Sequence, residues 1–517
     1  MAYKGETRTI NCDSGGLTGA NNIDAIAPQM MIYPSRNILL EKRGRRKRGG
    51  SSHLYASAYP GGYRALGLFD CRFLNGNQYL VYADASGTVY KNATNTITTG
   101  MGTSSPFSFA MGENKLFIAD GISMPKVWNE GSCANIANPA TDWSSNPPFQ
   151  FLRHTRGLSE RMCAINENTL YFSKTYVSAG DMEQFVTGAE SIYLDTADGH
   201  GMVGMVEIGE EIVLFSREKA WRVDDSDVTS TNWGLTAAQW AGGVAHWRLI
   251  VKIPNDVVCM SADGEIYSIR AVADYGDYKQ ASLTKDSWMH DWIKEHVNLS
   301  QINLFSGKYF PKWRAVVFSV CSSGSTTCDT MLIYYIDRAP ENAWMVHDNS
   351  SAPSGYDASA IEVVEDKTNG SYTLYTADYA GYVWELDKTS RNDNGAAYYS
   401  GFKTANDAMG EQRIKKLFAA GRIIGEPIGE YSLNIAIWVD GDYLGIKTVN
   451  QSGAGALLDD FMLDEDYLSG EDVCTSFFRI GKEGHQIQYE IYNAAANEDF
   501  FITSIMTDHK VLGALQR

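Results

Sequence analysis

Acyl transfer by a nucleophilic Ser or Cys needs that residue on a constrained turn with His and a carboxylate in reach. The GxSxG turn that usually carries it is missing. The nine His residues are scattered, and no HExxH places two imidazoles one helical turn apart for zinc. His290 and His296 would leave different faces of a helix. No GxxxxGK[ST] loop occurs, and neither nucleotide hydrolysis nor dinucleotide binding is indicated. Glycoside hydrolysis leaves no comparable trace, because the fold alone brings its two carboxylates within about 5–9.5 Å of each other. No catalytic residue, metal or cofactor is therefore assigned, and the chain is expected not to be an enzyme.

Two charged clusters are candidates for interaction. Lys42, Arg43, Arg45, Arg46, Lys47 and Arg48 form the one strong basic run, broken by Gly44. It reads either as a solvated arm or loop, or as a contact with DNA or an acidic neighbouring subunit. Asp459, Asp460, Asp464, Glu465 and Asp466, continued by Glu471 and Asp472, contain no intervening Lys or Arg. The run lacks the alternating oxygens and turn glycine of an EF-hand, so a solvated acidic face or a subunit contact is favoured over calcium. Asp224, Asp225 and Asp227 are read in the same way.

A chain of 517 residues exceeds the roughly 250–300 at which one hydrophobic core stops growing, so two or more packed units are expected. With 44% apolar and 12% aromatic residues, most of it should be folded. The net charge of −18 argues against a surface that grips phosphates, but suits a wall past which DNA slides. Eight Cys without a CxxC fit a reducing compartment. Cys321 and Cys328 flank a hairpin tip, where they could face each other as thiols or as a disulfide. The opening MAYKGETRTINCDSGG lacks the apolar stretch of a signal peptide, and no apolar run of about 18 residues occurs, so no membrane span is expected.

The elements that would position these residues are mostly β. A hairpin recurs: a short apolar strand, a turn with Asp or Gly, then a strand closing on Tyr or Trp. QYLVYADASGTVYKN from Gln78, KLFIADGISMPKVWN from Lys115, VVCMSADGEIYSI from Val257 and TLYTADYAGYVWELD from Thr373 are the clearest copies. EIVLFSREKAWRVD from Glu211 and MLIYYIDRAPENAWMVHD from Met331 are looser. Their spacing of about 35–55 residues matches one four-stranded blade per repeat, so a β-propeller of six or seven blades is preferred to a pair of sandwiches. Between the copies at 263 and 337, TKDSWMHDWIKEHV is expected to form a short amphipathic helix burying Trp288, Trp292 and Ile293. The expected organisation is an N-terminal arm with the basic cluster over 1–50, a propeller over 51–390 with the helical insertion near 284–297, and a small antiparallel β-sandwich over 400–517.

The order of segments resembles the tail nozzle or tail hub (stabilisation) proteins of short-tailed bacteriophages. The matching pieces are Leu170 to Ser173, Gly180-Asp181, Ile192 to Asp195, Gly199 to Gly204 and Ile212 to Arg222. LLDDFMLDEDYL followed by FFRIGKEGHQIQYEIYN is similar to the closing portion of such proteins. The resemblance implies a homohexameric ring below the portal and adaptor, carrying fibres or spikes, with viral DNA passing through its lumen without sequence-specific binding. It also implies a protein made in the bacterial host cytoplasm and located in the virion tail. The basic cluster has no place on the family pattern. The competing interpretation is a receptor-binding or glycan-degrading propeller, in which the 29 Tyr and 12 Trp would stack on sugars.

Overall fold

Seven four-stranded antiparallel sheets account for residues 65–388 together with one strand from near the N-terminus. The computed structural model describes residues 5–186, 190–195, 199–227, 229–238, 242–272, 277–348, 357–451 and 473–514. The first strands of the seven sheets are Ala65–Arg72, Ser108–Gly112, Gln150–Arg156, Gly204–Ile208, Ile250–Ile253, Ser306–Phe310 and Ala360–Glu365. Each packs against the next, and the seventh returns to the first, so they line the centre of a closed seven-bladed propeller. Blades 1–6 are continuous in sequence. Blade 7 takes its outermost strand, Gly50–His53, from upstream of blade 1, where it pairs with Val383–Lys388.

The recurrent turn is the junction between the second and third strands of a blade. A carboxylate at the end of the second strand accepts the N–H groups that the reversal leaves bare. Asp84 takes those of Ser86 (2.9 Å) and Thr88 (3.3 Å). Asp120 takes Ile122 (2.8 Å) and Ser123 (2.7 Å), and Asp378 takes Ala380 and Tyr382, both at 2.8 Å. The closing aromatic lies opposite the second strand: Tyr90 faces Tyr82, Trp128 faces Leu116, and Trp384 faces Thr376. The hairpin at Met331 differs, being the third and fourth strands of blade 6. Blade 3, missing from the clear copies, makes its turn with Asn166, whose Oδ1 accepts from Asn168 (3.1 Å) and Thr169 (2.8 Å).

The insertion between blades 5 and 6 contains the helix α1, Met289–His296. Met289, Trp292 and Ile293 are buried, whereas Trp288 caps the helix in a left-handed conformation (φ 58°) and is 55% exposed. The expected place of Trp288 on the apolar face is taken by Met289, because the helix begins one residue later. No helix among the described residues is long and apolar enough to cross a membrane.

The first fifty residues are not an arm. Glu6–Asn11, Met31–Arg36, Ile38–Glu41 and Gly44–Lys47 are strands of a two-sheet sandwich completed by the C-terminal region. One sheet orders Met31–Arg36, Ser400–Thr404, Ile487–Asn493, Ser432–Val439 and Asp442–Asn450. The other orders Ile38–Glu41, Gly44–Lys47, Phe501–Ala514, Ile414–Gly425 and Cys474–Gly484, with Glu6–Asn11 also paired to Phe501–Ala514. A single hydrophobic cluster runs from Phe402, Ile435 and Ile502 in the sandwich to Phe310 and Ile333 in blade 6 and Trp384 in blade 7. Burying each such side chain contributes roughly 1.5–3 kcal/mol, so the two domains are welded and not merely linked.

Side chains on neighbouring blades seal the ring. Between blades 3 and 4, Gln150 donates to the Met205 carbonyl (3.0 Å) and accepts its N–H (2.8 Å). Further along the same seam, His154 lies between Glu207 and Asp225, 3.0 Å from each, with its side chain 2% exposed. Burial alone would depress the imidazolium, but the hydrogen bonds to Asp225 and Glu207 and their charges outweigh it and raise its pKa to about 9. The folded value lies above the ordinary 6.5, so the stabilisation is complete below about pH 6.5 and is lost as pH rises through 9. We expect His154→Gln to cost on the order of 2–3 kcal/mol at pH 6 and much less at pH 10, measured by urea unfolding. An equal cost at both pH values would refute the charged lock.

Candidate interaction surface at the propeller–sandwich junction

The basic run divides by strand geometry. Ile38–Glu41 and Gly44–Lys47 form a hairpin in which Glu41 pairs with Gly44, leaving Lys42 and Arg43 as its two-residue tip. Those two side chains are exposed, while Arg45, Lys47 and Arg48 are buried and Arg46 is half-buried. The expectation of a solvated or DNA-facing segment therefore fails for three of the six cations, whose partners lie inside the protein.

Arg48 carries the junction. Its Nη1 meets Asp393 Oδ1 at 2.9 Å while Nη2 donates to Oδ2, a two-pronged pair with side chains 3% and 2% exposed. Its Nε donates to Asn37 Oδ1 (2.9 Å), and its guanidinium carbon lies 3.9 Å from the Tyr398 ring centre. Asn37 in turn donates to Asp348 Oδ1 of blade 6 (2.8 Å) and to the Tyr399 carbonyl of the sandwich (2.7 Å). Lys47 donates to Asn493 Oδ1 (2.9 Å) and the Ala495 carbonyl (2.8 Å). Burial, aided by the neighbouring Arg48 charge, pulls its pKa down to about 8. Arg45 stacks over Phe402 (4.4 Å) and donates to the carbonyls of Ser14 (3.1 Å) and Gln29. Burial lowers its pKa as well.

Beside this clamp a cleft of about 1400 Å³ opens between blades 6 and 7 and the sandwich. Most of the charges lining it are matched. Arg46 and Arg391 share Asp499, each at 2.8 Å; Lys312 meets Asp387 at 2.6 Å; and Arg314 pairs with Asp337. Three cations form no ion pair among the described residues, although the charge of Lys42 acts on Asp337 and that of Asp13 on Arg338. Arg338 donates to the carbonyls of Asp13 (3.1 Å) and Glu41 (2.8 Å), while Lys42 and Arg43 make no hydrogen bond or ion pair with the described residues. Asp13, Glu41 and Glu426 line the same cleft, so its surface carries charges of both signs.

Asp459, Asp460, Asp464, Glu465 and Asp466 lie outside the described residues. Asp225 is drawn into the His154 lock, and Asp224 and Asp227 cap turns through Ser226 and Thr229. Among the described residues no three His, Cys, Asp or Glu side chains converge as a metal set. Gly199, Gly201 and Gly204 have the GxGxxG spacing but lead into the strand Gly204–Ile208, so no helix N-terminus stands behind them to hold a pyrophosphate. Arg338 and the hairpin-tip role of Lys42-Arg43 escaped the sequence. The short Glu-Lys-Arg-Gly segment between two alternating stretches was the available signal.

No protein-family model and no curated protein matches the chain. Several solved structures are similar to it. The N-terminal part of BBS1, solved in complex with ARL6, matches with 10% identity and a TM-score of 0.40, covering 69% of this chain and 98% of that one. BamB from Moraxella catarrhalis matches with 11% identity and a TM-score of 0.36, covering 70% and 96%. YCF48 from Cyanidioschyzon merolae matches with 8% identity and a TM-score of 0.39, covering 65% and 98%. The chain is a β-propeller protein, a class defined here by its seven closed sheets, with a sandwich attached.

The two halves of the basic run should behave oppositely. Arg48→Ala leaves Asp393 buried without its cation and should cost about 3–5 kcal/mol in denaturant unfolding. The double change Lys42→Glu and Arg43→Glu should alter stability by no more than about 0.5 kcal/mol. A mild Arg48→Ala or a destabilising tip variant would overturn this division.

Proposed function

We propose that the protein is a structural subunit of a bacteriophage tail. Copies associate side by side as a nozzle or hub ring, six to the ring, around a bore through which viral DNA passes. The observation that carries this reading is the weld between propeller and sandwich: one continuous core and one buried ionic clamp make a two-domain body without a hinge. A ring that retains packaged DNA needs subunits that transmit load without bending, and a net charge of −18 lets the phosphate backbone slide past. The resemblance in segment order to nozzle and hub proteins supports the same assignment. The cleft beside Lys42, Arg43 and Arg338 then receives an acidic surface of a neighbouring subunit or of the adaptor, and outer loops carry fibres or spikes. The role is geometric and needs no catalytic step.

Negative-stain microscopy and mass photometry of the purified chain test this directly. We expect six-fold rings with a central hole, and a lower ring population in the Lys42→Glu, Arg43→Glu variant, with wild-type rings dissociating as salt is raised. A protein that stays monomeric at about 10 µM, where weak protein contacts already associate, and that cleaves polysaccharide would replace this reading with the glycan-degrading one.

A further inference from the structure

The turn joining the second and third strands of blade 6 holds two thiols together. Cys321 and Cys328 are 0% and 1% exposed, and their Sγ atoms are 3.4 Å apart. The two legs of this turn are anchored to different parts of the molecule. The Cys321 carbonyl accepts the N–H of Asn298, which follows helix α1, at 2.9 Å. The Cys328 carbonyl accepts the Ala358 N–H (2.8 Å) just ahead of blade 7, and the Cys328 N–H donates to the Tyr379 hydroxyl (3.2 Å) in the corresponding turn of blade 7. The Cys328 thiol points toward the Leu304 carbonyl at 3.6 Å. That carbonyl also accepts from Arg248 at 2.9 Å.

Arg248 is the second unusual feature. It is 9% exposed and donates only to main-chain carbonyls, those of Ser359 (3.0 Å), Asn303 (3.0 Å) and Leu304, with no carboxylate partner among the described residues. Among the groups acting on its charge the Cys328 thiol comes first, with Tyr379 in the same sense and the Arg64 cation opposed. A buried cation without a counter-ion favours a thiolate beside it. The hydrogen bond from Cys321 also lowers the Cys328 pKa, against the effect of burial, and the Tyr379 hydroxyl and the Arg248 charge act in the same direction. Cys321, donating that bond and also buried, is raised.

We infer that Cys321 and Cys328 form an oxidisable pair, closing to a disulfide that staples the insertion after α1 to the seam between blades 6 and 7. The Cys328 thiolate attacks a small disulfide oxidant such as oxidised glutathione. A mixed disulfide forms and one glutathione thiolate leaves. Cys321 then loses its proton and displaces the second glutathione, so two S–H bonds are exchanged for one S–S bond and the oxidant is reduced to two thiols. Ser323, Gly324 and Thr326 of the overlying turn are exposed, so a small opening of the hairpin admits the oxidant. The inference stands whether or not copies of the chain form a ring.

Both cysteines lie on one tryptic peptide, 315–338, which makes the test direct. The folded protein is treated with oxidised glutathione, denatured, alkylated and digested. We expect that peptide to lose two hydrogens in mass while the other six cysteines remain alkylatable. Cys321→Ala should stop at the glutathione adduct on Cys328, because the resolving thiol is gone. Oxidation of the wild type should also slow protease cleavage within 322–327 at least about fivefold, with no slowing in Cys321→Ala. The inference fails if both cysteines remain alkylatable in the folded protein while the unfolded chain oxidises. It fails equally if either bonds to a different cysteine.

Discussion

The ion pair between Arg48 and Asp393 sits where the chain leaves one domain and closes the other. Two charges with side chains 3% and 2% exposed would each cost several kcal/mol if unpaired. Here the carboxylate is engaged by both prongs of the guanidinium and by Ser51 Oγ (2.9 Å), and the remaining guanidinium N–H groups reach Asn37 and the Gly49 carbonyl. The residues that follow allow this approach. A Cβ at Gly49 would lie 2.7 Å from the Asp387 backbone, and one at Gly50 would lie 2.1 Å from the Asn392 carbonyl oxygen. Only glycine lets the strand Gly50–His53 lie close enough to blade 7 to complete it.

The propeller was legible because its defining turn is chemically demanding. A second strand that reverses immediately leaves amide groups bare, and a short carboxylate at its end is the simplest remedy, so Asp84, Asp120 and Asp378 recur at matching places. Where another side chain does the same work the repeat fades. Asn166 in blade 3 and Ser216 in blade 4, whose Oγ accepts the Lys219 N–H at 3.0 Å, turn the same corner without the Asp signature. The hairpin at Met331 mimicked the pattern from the wrong pair of strands, because any apolar strand, polar turn and aromatic closure satisfies it. Blade count was blurred for the same reason.

The junction was not legible. Six cations in seven positions read as a solvated segment because charge density is a local property, whereas the groups that neutralise them are remote: Asp393 lies 345 residues beyond Arg48, and Asn493 lies 446 beyond Lys47. Strand alternation turns Arg45 and Lys47 inward on either side of Arg46, while Arg48, just past the strand, is buried by its pair with Asp393, and neither is visible until 38–41 and 44–47 are known to pair. The same distance in sequence concealed the sandwich, whose strands come from both ends of the chain. Its C-terminal half showed the expected alternation, and its N-terminal half was hidden by Pro34 and the basic run.

Placing the clamp between residues 47 and 50 couples two closures. Gly44–Lys47 belongs to the sandwich, and Gly50–His53 is the last strand of the propeller, so the sandwich cannot shift without pulling on blade 7. Blade 7 meets blade 1 through Ser359, which donates to the Ala65 carbonyl (2.6 Å) and accepts from Arg64 (3.0 Å), and through Arg72 with Glu365 (2.9 Å). A buried cluster of Tyr59, Ala65, Leu68 and Tyr82 with Ala360 and Val383 packs across the same seam. The chain itself crosses this seam, running from Gly50–His53 in blade 7 into blade 1, and the sandwich braces the start of that crossing through the Arg48 clamp. A pull applied to either domain therefore acts on the shared core and the Arg48 clamp as well as on the seam.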